Sequence, residues 1–226
     1  MKPVSWPCSA PGGNGEEVGL AAGPADATRR VLIVPALFEE ANRTRRFIVE
    51  TMRLLDNAGI DSILPDLPGC NESLQSFEVQ SLATWRDAVA AARRHFAPTH
   101  LLTIRGGALI VPDDLPGWRL EPVAGLSLLR QLLRARTIAA REDGRDEKLE
   151  MLLEQGRAQG LELAGYHCSA ALIAGLEDGV QTASEVQMPI RQAQLGGGAL
   201  WLRSEPSEDH NQSAALAAIV IQGTAA

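Results

Sequence analysis

The sequence predicts an α/β fold in which a mostly parallel sheet carries helices on both faces. Two short apolar runs, VLIVP at 31–35 and DSILP at 61–65, are typical of strands buried on both sides. Stretches with apolar residues at helical spacing follow each run, so that the chain reads β-α-β-α-β up to residue 104. A glycine-rich turn at 105–107 ends the third strand, as in folds that present a side chain at the edge of such a sheet.

Strand and helix patterns extend over most of the chain. Residues 1–28 are rich in Pro, Gly and Ala and predict an irregular arm or one short edge strand, while residues 29–226 predict a single domain. Strands are predicted at 31–35, 61–65, 101–104, 118–123 and 199–203. Helices are predicted at 47–58, 82–96, 126–141, 148–159, 169–178 and 213–222.

Residues 103–107 have the frame of a nucleophile elbow but lack its nucleophile. In α/β-hydrolases the pattern G-x-S-x-G ends a buried strand, and a sharp turn lifts the serine to the top of the sheet. Here the five residues read T-I-R-G-G, so Arg105 stands in the serine position. A guanidinium stays protonated at biological pH and cannot attack a carbonyl. The sequence therefore predicts an α/β-hydrolase-like architecture without its usual chemistry.

The loop at 35–42 follows the predicted strand at 31–35. In hydrolases, the corresponding loop contributes one backbone N–H group to the oxyanion hole. The candidate ligand-binding residues in this loop and in the turn are Phe38, Glu39, Glu40, Gly106 and Gly107. Two adjacent glutamates suit a developing anion poorly unless a cation offsets them. Two interpretations stay open for Arg105: it holds a carboxylate or phosphate of a ligand, or it pairs with Glu39 or Glu40 and fixes the loop. The second predicts a buried contact between Arg105 and a glutamate.

Cys70 and His210 are the other candidate catalytic residues beside Arg105. Cys70 lies in the loop DLPGCNES at 66–73 and would serve as a nucleophile only with a base nearby. His210 stands before the last helix, where a hydrolase keeps its histidine, but it has no serine to deprotonate. The alternatives are a thiol without a catalytic role and a histidine in a solvated acidic loop.

Composition and motifs argue against several classes of function. A formal charge of −7 argues against nucleic-acid binding, which requires clustered positive charge. The three cysteines fit neither a disulfide framework nor a zinc site, and the sequence has no phosphate-binding loop, dinucleotide fingerprint or CxxC pair. No apolar run reaches the ~18 residues of a membrane span, and the first residues lack the core of a signal peptide. We expect a cytoplasmic protein with no cofactor, metal, nucleic-acid partner or membrane span.

Several patches in a consistent order resemble the exosortase A system-associated hydrolase 2 family. They are PALFEEANRTRR, PDLPGCNES, IRGGAL, EPVAGLSLLRQLLRART and LELAGYHCSAAL, at 35–46, 65–73, 104–109, 121–137 and 161–172. The resemblance implies an α/β-hydrolase fold in a Gram-negative bacterium that makes exopolysaccharide and sorts proteins with a PEP-CTERM tail.

Two regions look shorter than in a typical member of that family. Only residues 108–111 separate the turn from Pro112, so the helix that should follow is short. Residues 179–198 contain no clear strand for an acidic triad member, and Glu177, Asp178 and Glu185 are the acids available. A charge-relay arrangement is therefore not expected.

These observations leave three hypotheses. The first is a pseudoenzyme that keeps its pocket and binds a small acyl or anionic ligand without converting it. The second is an active esterase or acyl-transfer enzyme that uses Cys70 or an activated water, with His210 as base. The third is a scaffold in an exopolysaccharide or protein-sorting assembly. We favour a ligand-binding or accessory protein over an active hydrolase, and the sequence does not predict the oligomeric state.

Overall fold

A computed structural model describes residues 1–8, 15–181 and 183–225, which contain a seven-stranded sheet and a small two-stranded one. The strands are β1 (Lys2–Cys8), β2 (Gly15–Ala22), β3 (Arg30–Val34), β4 (Asp61–Pro65), β5 (His100–Ile104), β6 (Gly117–Leu120), β7 (Leu161–Leu163), β8 (Tyr166–Cys168) and β9 (Gln187–Ile190). The large sheet has the order β1-β2-β4-β3-β5-β6-β9. Its last five strands in this order are parallel, whereas β1 and β2 run antiparallel to their neighbours.

Helices cover both faces of this sheet, as the sequence predicts. They are α1 (Glu39–Asn57), α2 (Leu82–Phe96), α3 (Gly125–Glu142), α4 (Leu149–Gln159), α5 (Ala170–Asp178), α6 (Gln192–Leu195) and α7 (His210–Gly223). α1 and α7 pack on one face with Val31 and Ile33 of β3. α2, α3 and α5 pack on the opposite face with Leu32 and Val34 of the same strand. Successive side chains of β3 thus point into two separate hydrophobic cores, one on each face of the sheet. The predicted α/β class is confirmed.

The first residues are more regular than the sequence suggests. Instead of an irregular arm or one edge strand, the described residues form β1 and β2, an antiparallel pair at one edge of the sheet. Trp6 and Cys8 point inward and are buried, while their strand neighbours are exposed. Two prolines in β1 obscure this alternation in the sequence, yet they are tolerated because β1 is an edge strand.

The prediction of a last strand at 199–203 is wrong. Leu200–Leu202 form a 3-10 turn that buries Trp201, and the last strand of the sheet is β9, inside the region 179–198 that has no clear strand signal. In β9 only the two terminal residues are buried, and Met188 and Pro189 between them are exposed. Such an edge strand shows neither a continuous apolar run nor a regular alternation, which explains the error.

The connection from β6 to β9 contains most of the structure that lies outside the simple β-α-β pattern. It comprises α3, α4, the β7–β8 pair and α5. The β7–β8 pair lies in a stretch for which the sequence predicts no element, and it brings Tyr166 against the 3-10 turn Phe77–Val79. Among the described residues, no helix is long and apolar enough to cross a membrane.

Candidate functional site

The turn after β5 has the backbone form of an elbow. Arg105 follows the last residue of β5 and adopts a φ of 51°, in the left-handed region that few non-glycine residues occupy. The 3-10 turn Arg105–Leu109 replaces the longer helix expected after such a turn. The strained residue is therefore presented at the carboxyl ends of the parallel strands, where ligands bind in open α/β sheets.

Three hydrogen bonds hold the Arg105 guanidinium within the protein. Its Nε donates to Oε2 of Glu40 and its Nη2 donates to Oε1, each at 3.1 Å, in a bidentate pair. Its Nη1 donates to the backbone carbonyl oxygen of Glu121 at 3.0 Å. The side chains of Arg105 and Glu40 are only 10% and 9% exposed. The guanidinium N–H groups that would bind an anionic ligand are therefore already used in hydrogen bonds within the protein.

An aromatic ring covers the remaining face of the guanidinium. Cζ of Arg105 lies 4.5 Å from the centre of the Trp201 ring, a cation–π distance. The Trp201 backbone carbonyl accepts a hydrogen bond from Nη1 of Arg43 in α1. Trp201 comes from the connection between β9 and α7, which is the segment where a hydrolase keeps its histidine. This connection therefore covers Arg105 with Trp201.

The two candidate glutamates have different surroundings. Glu40 forms the buried contact with Arg105 that the pairing interpretation predicts. Glu39 is half exposed and lies 3.6 Å from Nε of Arg43, one helical turn further along α1. The neighbouring positions diverge because successive residues of α1 point in directions about 100° apart. Glu40 anchors the loop, and Glu39 stays at the surface.

The candidate residues Gly106 and Gly107 bring the elbow close to the loop after β3. A Cβ atom at Gly107 would collide with the carbonyl oxygen of Pro35 and would lie 2.8 Å from that of Val34. A Cβ atom at Gly106 would lie 2.7 Å from a methyl carbon of Leu128. Backbone atoms thus exclude a side chain at Gly107, whereas a side chain at Gly106 would meet side-chain carbons only; packing accounts for both glycines without any ligand.

His210 lies apart from the buried contacts of Arg105. It is the first residue of α7 and is exposed. Asp209 caps this helix by accepting hydrogen bonds from the backbone N–H groups of Asn211 and Gln212. Among the described residues, no hydrogen bond joins His210 to Arg105 or to Cys70. Its surroundings are those of the solvated helix start that the alternative interpretation describes.

Cys70 faces the site but its surroundings oppose its use as a nucleophile. Burial, followed by the nearby carboxylates of Asp66 and Glu17, raises the pKa of the Cys70 thiol to about 12. A catalytic cysteine needs the opposite shift, which comes from a neighbouring cation or histidine. The Cys70 thiol is therefore protonated at neutral pH.

Glu121 is a contact of Arg105 that the sequence did not identify. It follows β6, has a φ of 42°, and gives its backbone carbonyl to Arg105. Its carboxylate accepts a hydrogen bond from the Gln192 backbone N–H at 2.7 Å, at the start of α6. The acids considered from the sequence lie elsewhere, and Glu177 pairs with Arg157. A carboxylate directly after a buried strand was the signal that could have identified Glu121.

A cavity of about 140 Å³ lies beside the elbow. Its walls come from the loops after β3 and β4, from the first turn of α1, from α2 and from β8. The lining residues are Pro35, Ala36, Leu37, Phe38, Ala41, Asn42, Leu67, Gly69, Cys70, Asn71, Trp85 and Tyr166. Of the candidate ligand-binding residues, only Phe38 lines this space. Tyr166 and Trp85 were not identified from the sequence, because nothing local links them to this loop.

The remaining histidines do not join this site. His100 begins β5, at the opposite end of the strand from Arg105, and stacks on Trp118. His95 lies in the last turn of α2, and His167 lies in β8 and is exposed. In the described parts of the chain, no group of three or more His, Cys, Asp or Glu residues is arranged to hold a metal ion.

No protein-family model matches the sequence, and no curated protein matches it. Solved structures do. A thermophilic esterase from Thermogutta terrifontis aligns over 99% of this chain and 96% of its own, with a TM-score of 0.55 and 16% identity. Alpha/beta hydrolase domain-containing protein 10 from mouse aligns over 92% and 93%, with a TM-score of 0.54 and 10% identity. This chain has the α/β-hydrolase fold.

A third structure also aligns over nearly the whole chain. A candidate hydrolase from Agrobacterium vitis S4 aligns over 97% of this chain and 100% of its own, with a TM-score of 0.52 and 14% identity. At these identities the similarity is one of fold, and the chemistry has to be argued from the residues at the elbow. Within the α/β-hydrolase fold, this chain presents an arginine at the turn that presents a nucleophile in serine enzymes.

Proposed function

We propose that this protein is a non-catalytic member of the α/β-hydrolase fold that binds a small ligand in the cavity beside the elbow. The observation that carries the proposal is the Arg105 guanidinium, whose donors are taken by Glu40 and the Glu121 carbonyl and whose face is covered by Trp201. An arginine held in this way neither attacks a substrate nor binds an anion. The carboxyl edge of the sheet then retains a cavity whose lining thiol, Cys70, is protonated and not activated.

The alternative, an active hydrolase with an unorthodox site, lacks two of the parts it needs. A thiol with a pKa of about 12 is almost entirely protonated at neutral pH, so it is a poor nucleophile. An exposed histidine at the start of α7 has no described hydrogen bond to that thiol. General-base catalysis requires hydrogen-bond reach between the base and the group it deprotonates.

Ester hydrolysis and cavity binding test this proposal together. We expect wild-type protein and Cys70→Ala to hydrolyse p-nitrophenyl acetate and butyrate no faster than buffer does. We also expect toluene, a probe of apolar cavities, to raise the melting temperature of the wild type. Ala41→Leu, which places extra carbon atoms in the cavity, should abolish that rise. Ester turnover that Cys70→Ala removes would contradict the proposal and would support the active enzyme.

The sequence resemblance leads us to propose an accessory role in exopolysaccharide production or in the sorting of PEP-CTERM proteins. Deletion of the gene in its source bacterium should then reduce surface polysaccharide or the retention of proteins with that tail. A Cys70→Ala copy should restore the phenotype, because no catalysis by this thiol is involved, while an Ala41→Leu copy should not. An unchanged phenotype after deletion would contradict this role.

A further inference from the structure

The cavity beside the elbow is built from aromatic rings. Phe38, Trp85 and Tyr166 line it, and Phe77 packs behind them. The Phe38 ring meets Tyr166 edge to face with centroids 5.4 Å apart, and it meets Trp85 at 6.1 Å in the same manner. A further ring placed in this space would extend a network of edge-to-face contacts, which aromatic pairs prefer.

The volume of the cavity limits the size of its occupant. At about 140 Å³, it is close to the volume of about 150 Å³ that accommodates benzene in an apolar protein cavity. A single ring with one small substituent fits this volume, whereas a long acyl chain does not. Of the acyl ligands that the sequence leaves open, only short ones fit entirely inside this space.

Two residues that line this cavity carry polar groups without a hydrogen-bond partner in the described part of the chain. Among the described residues, neither the Tyr166 hydroxyl nor the Asn42 side-chain amide forms a hydrogen bond. Tyr166 is partly buried, while Asn42 is exposed. The Asn71 amide, by contrast, donates to Asp66 at 2.9 Å. A ligand oxygen that accepts from Tyr166 and donates to Asn42 would satisfy both free groups.

The charges around the cavity disfavour an anion. No lysine or arginine lines it. Two nearby cations face carboxylates: Arg45 donates to Asp66 at 2.9 Å, and Arg43, whose charge acts on Tyr166, lies 3.6 Å from Glu39. Burial and the Glu39 carboxylate raise the pKa of Tyr166 to about 12, so the phenol is a neutral donor. A carboxylate ligand in the cavity would therefore lose its hydration without a lysine or arginine in the cavity wall to compensate it.

We propose that the cavity binds a neutral aromatic alcohol of the size of phenol, with its ring among Phe38, Trp85 and Tyr166 and its oxygen between Tyr166 and Asn42. The proposal rests on the proposed function, because it names the ligand class of the same cavity. It replaces the acyl or anionic ligand expected from the sequence with a neutral, ring-shaped one.

Three single-ring probes test this inference by titration calorimetry or ligand-detected NMR, two of nearly equal shape (phenol and toluene) and one larger and charged (benzoate). Phenol carries the neutral hydroxyl, toluene replaces it with a methyl group, and benzoate adds a negative charge. For so few atoms, millimolar dissociation constants are expected. Wild-type protein should bind phenol about fivefold more tightly than toluene, and Tyr166→Phe should remove this preference while leaving toluene binding unchanged. Benzoate should bind at least about tenfold more weakly than phenol.

Controls separate failure of this inference from failure of the proposed function. Benzoate that binds as well as phenol, or a phenol preference that survives Tyr166→Phe, would overturn the neutral aromatic class and leave the binding cavity intact. Binding of none of the probes, or binding unaffected by a folded Ala41→Leu variant, would overturn the cavity itself. If Ala41→Leu does not fold, NOEs between toluene and the ring protons of Phe38 and Tyr166 in the wild type decide, and their absence contradicts the cavity.

Discussion

Arg105 is held in a nearly buried position by partners that satisfy both its charge and its geometry. A charged side chain removed from water costs free energy unless hydrogen bonds and an opposite charge compensate it. The bidentate pair with Glu40 supplies both, the Glu121 carbonyl takes a third donor, and the Trp201 ring takes the open face. Together, these contacts join β5, α1, β6 and the last connection at one point.

Replacement of Arg105 by serine should therefore destabilise the protein without creating a hydrolase. Arg105→Ser restores the serine of the elbow frame, but it leaves Glu40 buried without its cation, which costs about 3–5 kcal/mol. Urea unfolding measures this loss, and a p-nitrophenyl acetate assay should show no gained turnover, because His210 is exposed at the start of α7.

A surface arginine provides the matched control for this substitution. Arg46 pairs with Glu208 at 2.7 Å, but these side chains are 61% and 42% exposed. Arg46→Ser should cost less than about 1 kcal/mol, as expected for an exposed ion pair. Equal losses for the two variants, or ester turnover in Arg105→Ser, would argue against an anchoring role for Arg105.

Glu17 is a second buried charged residue and makes stability depend on pH. Its carboxylate accepts hydrogen bonds from Ser73 at 2.8 Å and from Gln75 at 2.9 Å, both neutral groups. Burial raises the pKa of Glu17; the two hydrogen bonds oppose this, and the Asp66 carboxylate adds to it. The folded state therefore holds the Glu17 proton more tightly than the unfolded state does.

Glu17→Gln should stabilise the protein at neutral pH but not in acid. A raised folded pKa gives stability at pH values below the ordinary glutamate range, and this stability is lost as the pH rises through the folded pKa. The melting-temperature advantage of Glu17→Gln should consequently grow between about pH 4 and pH 7. Glu16→Gln, on the same strand but exposed, is the control. A constant difference across this range would show that Glu17 does not titrate as described.

At the scale of elements, the connection between β9 and α7 has become part of the core. In a serine hydrolase this connection delivers the histidine of the triad. Here it contains α6 and the 3-10 turn Leu200–Leu202, and the turn buries Leu200 and Trp201 against α1. The start of α1 thus contacts both Arg105, through Glu40, and the Trp201 turn, through Arg43.

Neighbouring residues of this turn offer a matched pair of substitutions. Trp201 is 8% exposed and contacts Arg105, whereas Leu202 is 70% exposed. Trp201→Ala should lower the free energy of unfolding by about 3 kcal/mol through lost packing and lost cation–π contact. Leu202→Ala should change it by less than about 0.5 kcal/mol. Unfolding curves that do not separate the two variants would contradict the role given to this connection.

For the molecule as a whole, the sequence predicts the centre of the sheet better than its edges. The prediction for β4 at 61–65 and that for α2 at 82–96 agree with the structure, because buried parallel strands and amphipathic helices have strong patterns. β9 and β1 are edge strands with proline, and their pattern depends on neighbours that are distant in the chain.

The candidate site was predictable where it depends on a local motif. The elbow frame and its loop after β3 identified Arg105 and Glu40, and the structure joins them. Trp201, Tyr166 and Glu121 reach the site from separate elements, and only the tertiary fold brings them there. The roles proposed for Cys70 and His210 depended on distance and pKa, which follow from burial and packing and cannot be obtained from spacing along the chain.

A double-mutant cycle on Arg105 and Glu40 tests the account most directly. Arg105→Met, Glu40→Gln and the double variant are compared with the wild type by urea unfolding. If the elbow arginine is an anchor, each single variant is strongly destabilised, and the coupling free energy is about 2–3 kcal/mol, as expected for a buried pair whose members depend on each other. A coupling below about 0.5 kcal/mol, typical of independent sites, would contradict the claim that this contact has taken the place of the nucleophile.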